Sequence, residues 1–307
     1  MKRAHSPRLP GSRLHRRAAP LSGIVRPTPD APPSAALLPA GLEPLREVAR
    51  ALPRAPGVYL FHGERGGLPL YIGKSVDLRS RVLSHLRNAQ EARMLQQLRR
   101  IDHERTGGEI GALLLEARLI KEQLPLFNQR LRRQQQLCSL RLVDGMPEVV
   151  YANRIDFAHE PDFYGLFAGR RAALDHLREL ADAHRLCLHL LGLERPAVRG
   201  RCFRAMLGRC AGACAGAETE AAHRDRLVAS LQAVRVACWP FGGAIGLRED
   251  DGEVARIHVV RNWCYLGSAP DLARARALRR VAPAFDADAY RVLCKPILLG
   301  NHDLIKL

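Results

Sequence analysis

Two short alternating segments narrow the folds open to this chain more than any other feature. Val58-Tyr59-Leu60-Phe61 places Tyr59 and Phe61 on one side of an extended backbone and Val58 and Leu60 on the other. Leu70-Tyr71-Ile72-Gly73 likewise sets Tyr71 and Gly73 opposite Leu70 and Ile72. The Gly-rich connection from Gly63 to Gly67 suits a hairpin. Tyr59 and Tyr71 are therefore expected on one face of a small sheet. Either tyrosine alone would read as an ordinary strand residue.

Downstream the period changes from two to 3.6. Ser75 or Asp77 is placed to cap a helix running to about Arg87. Leu78, Val82 and Leu86 face its core, and Arg81 and His85 share a neighbouring stripe, while Arg79 points elsewhere. Lys74 sits just before that helix, where a helix start also attracts anions. A solvated basic face is the plainer alternative for these residues. Glu91 to Arg100 reads as a second basic helix, and Ile101 to Thr106 as a strand. After Gly107-Gly108 comes the strongest helical pattern, Glu109 to Leu124, closed by Pro125. Its expected apolar arc is Ile110, Leu113, Leu114, Ala117 and Leu124, with Glu116 at the edge and Glu109 on that edge two turns earlier. Two tyrosines on paired strands, a Lys and Arg beside them and one carboxylate suggest a site for cutting a phosphodiester. A single carboxylate, Glu116, suffices to hold one Mg²⁺ or Mn²⁺ with water completing the shell.

A formal net charge of +17 over 307 residues points to a polyanionic partner, of which nucleic acid is the usual one. No run of 18 apolar residues is present, so no membrane partner is expected. Arg16-Arg17 precedes no apolar segment, which argues against export and for the cytoplasm. Residues 1–45 read as a basic, disordered tail.

The remainder reads as α+β. Leu140 to Val143, Glu148 to Asn153 and Tyr164 to Phe167 are expected strands, and Arg170 to Arg185 an amphipathic helix. Glu220 to Val236 is expected as a helix, and Trp239 to Arg248 and Ala255 to Leu266 as strands. Asn262, Trp263 and Tyr265 fit a core or edge position better than a base-stacking surface. Four of the eight cysteines, Cys187, Cys202, Cys210 and Cys214, are spaced C-x14-C-x7-C-x3-C. In a reducing compartment that clustering suits a [4Fe–4S] cluster or Zn²⁺. Cys138, Cys238, Cys264 and Cys294 show no ligand spacing and read as structural.

Gly57-Val58-Tyr59 and Tyr71-Ile72-Gly73-Lys74-Ser75, followed by Leu115-Glu116-Ala117-Arg118-Leu119-Ile120-Lys121 and Pro125-Leu126-Phe127-Asn128, resemble a GIY-YIG nuclease domain, and most of all the N-terminal nuclease of the bacterial excinuclease UvrC. Gly208 to Cys214 resembles the UvrC cysteine region, which is associated with an iron–sulfur cluster. The resemblance implies an α+β nuclease domain over residues 46–135, a small antiparallel or mixed sheet flanked by helices, and a UvrC-like region over 136–307. Neither the RNase H-like nuclease nor the helix-hairpin-helix motifs of UvrC are recognised. That pattern resembles the Cho family of UvrC homologues, which make the 3′ incision in nucleotide excision repair. Damaged double-stranded DNA and UvrB, after UvrA loading, are the implied partners. The implied roles are Tyr71 as general base with its phenolate supported by Lys74, Tyr59 in the same network, and Arg81 on the scissile phosphate. Glu116 would hold the metal, Gly73 permit close packing, Asn128 brace the site and His85 assist. DNA contact falls to Lys74, Arg79, Arg81 and His85. The competing readings are a noncatalytic nucleic-acid-binding module with a structural metal cluster, and a restriction or homing endonuclease on the same core.

Overall fold

The computed structural model describes residues 41–64, 67–128, 136–195, 202–278, 285–300 and 302–307. Most of the expected tail, residues 1–40, lies outside these. The part that is described does not behave as a tail, because helix α1 (Glu43–Ala51) opens inside it. Leu42, Leu45, Ala49 and Leu52 form its buried stripe and close the first core. Burial at this spacing, not composition, decides order here.

Strands β1 (Gly57–His62) and β2 (Tyr71–Ser75) pair antiparallel, with Tyr59 opposite Gly73 and Phe61 opposite Tyr71. Helix α2 (Leu78–His85) is capped by Asp77, whose carboxylate accepts from Ser80 N–H at 2.9 Å. Leu78, Val82 and Leu86 are fully buried, at roughly 1.5–3 kcal/mol each. The expected helix from Glu91 to Arg100 shrinks to a single turn, α3 (Ala92–Leu95), after a 3₁₀ turn at Ala89–Glu91. Leu95 and Leu98 must both enter the core, and Arg99 N–H already bonds His62 C=O at 2.8 Å to start the next strand. That strand, β3 (Arg100–Arg105), gives the sheet order β2-β1-β3.

Helix α4 (Glu109–Gln123) packs on the opposite face of this sheet from α1 and α2. Its burial differs from the expected arc. Leu115, Leu119 and Ile120 lie against Val58 and Ile72, whereas Ile110 and Leu114 enter a different core beyond the nuclease sheet. Leu124 is exposed and takes a left-handed conformation at the helix end. A helix buried on two sides carries no single clean apolar stripe.

A second sheet, order β5-β4-β6, is built from β4 (Cys138–Val143), β5 (Met146–Tyr151) and β6 (Phe163–Phe167). Helices α5 (Arg170–His184), α6 (Phe203–Met206) and α7 (Glu220–Leu231) follow. The third sheet, order β10-β7-β8-β9, comprises β7 (Ile245–Asp250), β8 (Ala255–Arg261), β9 (Cys264–Ala269) and, after helices α8 (Leu272–Ala277) and α9 (Ala287–Leu298), β10 (Leu304–Lys306). Here two expectations are corrected. Trp239 to Gly243 is irregular, since Trp239 packs edge-on against Trp263 instead of pairing in the sheet. The expected strand from Ala255 to Leu266 is two strands, joined by Asn262 and Trp263 at φ 54° and 62°. Positive φ at both positions is what a tight hairpin turn demands. A buried indole whose Nε1–H donates to Ala237 C=O at 2.9 Å holds Trp263 there, so it is a core residue and not a stacking platform. The α+β class holds throughout, and no helix among the described residues is long and apolar enough to cross a membrane.

Glu249 on β7 joins the third sheet to the nuclease helix. Helix α4 starts at Gly108, which has no side chain to cap it. The two Glu249 carboxylate oxygens accept instead from Ile110 N–H at 2.9 Å and Gly111 N–H at 2.6 Å. His258 Nε2 lies 2.9 Å from the same carboxylate, and its Nδ1 lies 2.7 Å from Ser268 Oγ. A Cβ at Gly107 would stand 2.7 Å from the carbonyl oxygens of Glu249 and Val254, so this approach needs glycine.

Candidate active site

The strand register decides which side chains meet. Tyr59 and Tyr71 project from one face of the sheet with ring centroids 6.1 Å apart. Gly73 lies between them: a Cβ there would be 2.3 Å from Tyr59 Oη and 2.8 Å from Tyr71 Cε1. On α2, one turn apart, Arg81 and His85 face the same phenols. Tyr59 Oη is 2.6 Å from His85 Nε2.

Asn128 reaches the site from beyond α4. Its Oδ1 accepts from Ile72 N–H at 3.0 Å and its Nδ2 donates to Ile72 C=O at 2.8 Å. Strand β2 is at the sheet edge. The amide thus completes the edge's hydrogen bonding and holds the strand carrying Tyr71 and Gly73 in place.

Glu116 comes from the third turn of α4. Its Oε1 accepts from the Lys74 backbone N–H at 3.1 Å. Burial pushes its carboxyl up to about 7, against that hydrogen bond and the charges of Lys74 and Arg81. Burial and then the Glu116 charge push the Tyr71 phenol up to about 12, with Arg81 and the hydrogen bond shared with Tyr59 working the other way. Tyr59 is raised well above the phenol range, first by burial and then by Tyr71.

Two expected placements, those of Lys74 and His85, fail. Lys74 does not support the Tyr71 phenolate, because strand alternation sends its ammonium to the other face, 2.5 Å from Glu109 Oε1. Arg81 occupies the cationic position instead. Arg79 donates Nε–H to Leu52 C=O at 2.7 Å, which ties α2 to the end of α1. His85 is buried with both ring nitrogens engaged, so it has no surface to offer a phosphate.

Sequence reasoning missed Glu91, which it placed only at the start of a basic helix. Glu91 is buried, and its Oε2 lies 2.5 Å from His85 Nδ1 while Asn88 Nδ2 donates to Oε1 at 2.9 Å. Asn88 and Glu91 stand at capping-box spacing, which was the available signal.

Away from this site, Cys187, Cys202, Cys210 and Cys214 converge, their sulfurs all within 4.8 Å of one another. His223 on α7 accepts the Cys187 N–H at 2.9 Å, which fixes the first of them. Burial pushes Cys210 up to about 12 and raises Cys187. Four thiols this close, two of them buried, suit a cation that would bind them as thiolates. Cys138 and Cys264 lie in separate hydrophobic cores.

The hairpin, the paired tyrosines, Arg81 on α2 and Glu116 on α4 define a GIY-YIG endonuclease domain. Family profiles agree: the UvrC-like GIY-YIG domain matches residues 55–129, the UvrC/Cho excinuclease middle domain 127–233 and the excinuclease Cho C-terminal domain 244–307. Residues 136–307, expected as one region, thus divide between two profiles, as the two sheets do. The chain is 57% identical over 266 residues to "Excinuclease cho" of Salmonella typhimurium, covering 86% of this chain and 90% of that protein. It is 55% identical over 266 residues to the same-named protein of Escherichia coli K12, with the same coverage. "UvrABC system protein C" of Haloarcula marismortui is 34% identical over 189 residues, 59% of this chain and 32% of that protein. Among solved structures, the magnesium-bound GIY-YIG N-terminal endonuclease domain of UvrC from Thermotoga maritima is 33% identical, covering 28% of this chain and 97% of that one, at a TM-score of 0.26. This chain belongs to the Cho excinuclease family, GIY-YIG nucleases of nucleotide excision repair.

Proposed function

We propose that this chain makes a single nick 3′ of a lesion in damaged duplex DNA held by UvrB after UvrA loading, in the cytoplasm, by hydrolysis that uses Mg²⁺ or Mn²⁺ on Glu116. The observation that carries this reading is the half-buried Glu116 carboxylate, raised to about 7 and acting on both phenols beside Arg81. A carboxylate with one backbone donor in a buried setting is under-compensated, and a hard divalent cation suits it. When bound, the metal would supply Lewis-acid polarisation of a phosphate oxygen and stabilise the departing 3′ oxygen.

The chain's own residues do the remainder. Arg81 binds the scissile phosphate, where a guanidinium fork matches two oxygens and neutralises growing charge. Tyr71 takes the proton of the attacking water. Gly73 lets the two phenols approach, and Asn128 keeps their strand in register. Lys74, through its backbone N–H, orients Glu116, and its pair with Glu109 steadies the start of α4. With a net charge of +17, DNA affinity should fall steeply with salt.

The four cysteines form a metal centre in this proposal. Their likeness to the UvrC cysteine region favours [4Fe–4S]. A spread within 4.8 Å favours a single zinc ion, whose thiolates stand about 3.8 Å apart at Zn–S distances of about 2.3 Å. Broad absorbance near ~400 nm with iron and sulfide present identifies the cluster; a colourless protein with one equivalent of zinc identifies the ion.

An end-labelled duplex with one bulky lesion, preloaded with UvrA and UvrB, tests the function. One metal-dependent nick 3′ of the lesion, absent with Glu116→Gln, is the expected result. Nicking without UvrB or lesion would indicate a free-standing nuclease. Tight, salt-sensitive binding with no nick in any divalent metal would leave a binding module.

A further inference from the structure

The contact between Tyr59 and His85 continues inward. A carboxylate only accepts, so Glu91, 2.5 Å from His85 Nδ1, requires the proton on that nitrogen. Nε2 then carries the lone pair, and the Tyr59 O–H donates to it at 2.6 Å. Asn88 fixes the carboxylate from its other side, and both His85 and Glu91 are buried. The groups that face this imidazole are Tyr59 and Phe61 from β1, Tyr71 from β2 and Glu91 from the 3₁₀ turn. Arg81 acts on both phenols and on Glu91 from the preceding turn of α2, and Glu116 acts on the phenols from α4.

We propose that Glu91 is a positioning residue of the incision reaction: it holds His85 in the Nδ1–H tautomer, so that Nε2 receives the proton Tyr59 releases. This rests on the nuclease function proposed above. The step balances in protons. Tyr71 Oη takes one from the attacking water as its own passes to Tyr59 Oη, and the Tyr59 proton passes to His85 Nε2. Both phenols end neutral, hydroxide attacks phosphorus, and an imidazolium stands against the Glu91 carboxylate. Two phenols that resist ionisation in a buried site can in this way serve as a base without either remaining a phenolate.

The experiment compares wild type, Glu91→Gln and Glu91→Asp in single-turnover incision across pH, beside ¹⁵N NMR of the His85 ring in the free protein. Glu91→Gln keeps the size and removes the charge. It should lower kcat about 10- to 100-fold with KM for DNA unchanged, in line with other losses of an orienting carboxylate. The acid limb of its pH profile should move to lower pH, because the imidazolium has lost its counter-ion. Glu91→Asp should recover part of the rate. Wild-type His85 should show the Nδ1–H tautomer with a far-downfield proton that Glu91→Gln loses. Wild-type kcat and pH profile in Glu91→Gln, or an Nε2–H tautomer in wild type, would overturn the proposal. If wild type makes no nick, the nuclease function fails, and the NMR arm still decides the His85–Glu91 pairing. Should Glu91→Gln not fold, the rate, pH profile and ring signals of Glu91→Asp decide it.

Discussion

Two histidine–glutamate pairs with buried imidazoles, one in the nuclease domain and one in the third sheet, are set apart by their third partners. In the nuclease domain, His85 bridges Glu91 and the hydroxyl of Tyr59, a group that exchanges protons. In the third sheet, His258 bridges Glu249 and the Ser268 hydroxyl, and the carboxylate already accepts two backbone N–H groups at the start of α4. Burial is nearly the same: His85 is 3% exposed and His258 1%. The same pair of side chains is a tautomer-setting device where it ends on a phenol and a structural clamp where it ends on a helix terminus. Burial of an ionisable pair alone does not mark function; the chemistry of the next atom does.

Several changes would sharpen or erase that contrast. The largest effect is expected from Glu116→Gln, which should abolish nicking in an end-labelled assay while leaving DNA binding largely intact; residual cutting at the wild-type rate would remove its metal role. Arg81→Ala should slow single-turnover incision by about 10²–10³-fold through loss of a transition-state contact. A change in affinity alone would move Arg81 out of the chemistry.

The proton on Glu116 gives an intermediate effect with a defined sign. Burial raises its carboxyl from 4.5 to about 7, so the folded protein holds this proton more tightly than the unfolded chain. Its contribution to stability is full below the unfolded value and is lost as pH rises through about 7. Relative to Glu116→Gln, wild type without divalent metal should therefore lose melting temperature between pH 4.5 and about 7. Mg²⁺ binding, measured by calorimetry without DNA, should weaken by about tenfold per pH unit below about 7, since metal and proton compete for one carboxylate.

The smallest expected effect on rate belongs to the second pair. Glu249→Ala leaves Ile110 N–H, Gly111 N–H and the His258 ring short of an acceptor, a loss on the order of 2 kcal/mol. Thermal melting should fall by several degrees, while incision at low temperature stays within about threefold of wild type. A large loss of kcat with unchanged melting would put both pairs in the same functional class.

Much of the nuclease domain is legible in local patterns. Alternation in Val58 to Phe61 and Tyr71 to Gly73 reports the two faces of β1 and β2, and the structure keeps those faces; Leu70, expected beside Ile72, lies ahead of β2 and packs in the first core with Tyr71. Asp77 is a capping residue by type and caps α2. The spacing of Cys187, Cys202, Cys210 and Cys214 suggested a cluster, and the four sulfurs converge. Each of these signals is confined to a few neighbouring residues or to one rare residue type.

What the sequence alone determined, then, is the α+β class, the hairpin that brings Tyr59 and Tyr71 together, and the composition that calls for a polyanion. The tertiary structure alone decided that α4 is buried on two sides, that Lys74 turns to Glu109, that Glu91 reaches His85 and that Glu249 caps a helix 139 residues before it in the chain. The physical reason is the range of the interaction. Periodicity and caps are properties of backbone geometry over a turn or two, whereas the partner of a buried charge is whatever the packing of distant segments brings within about 3 Å.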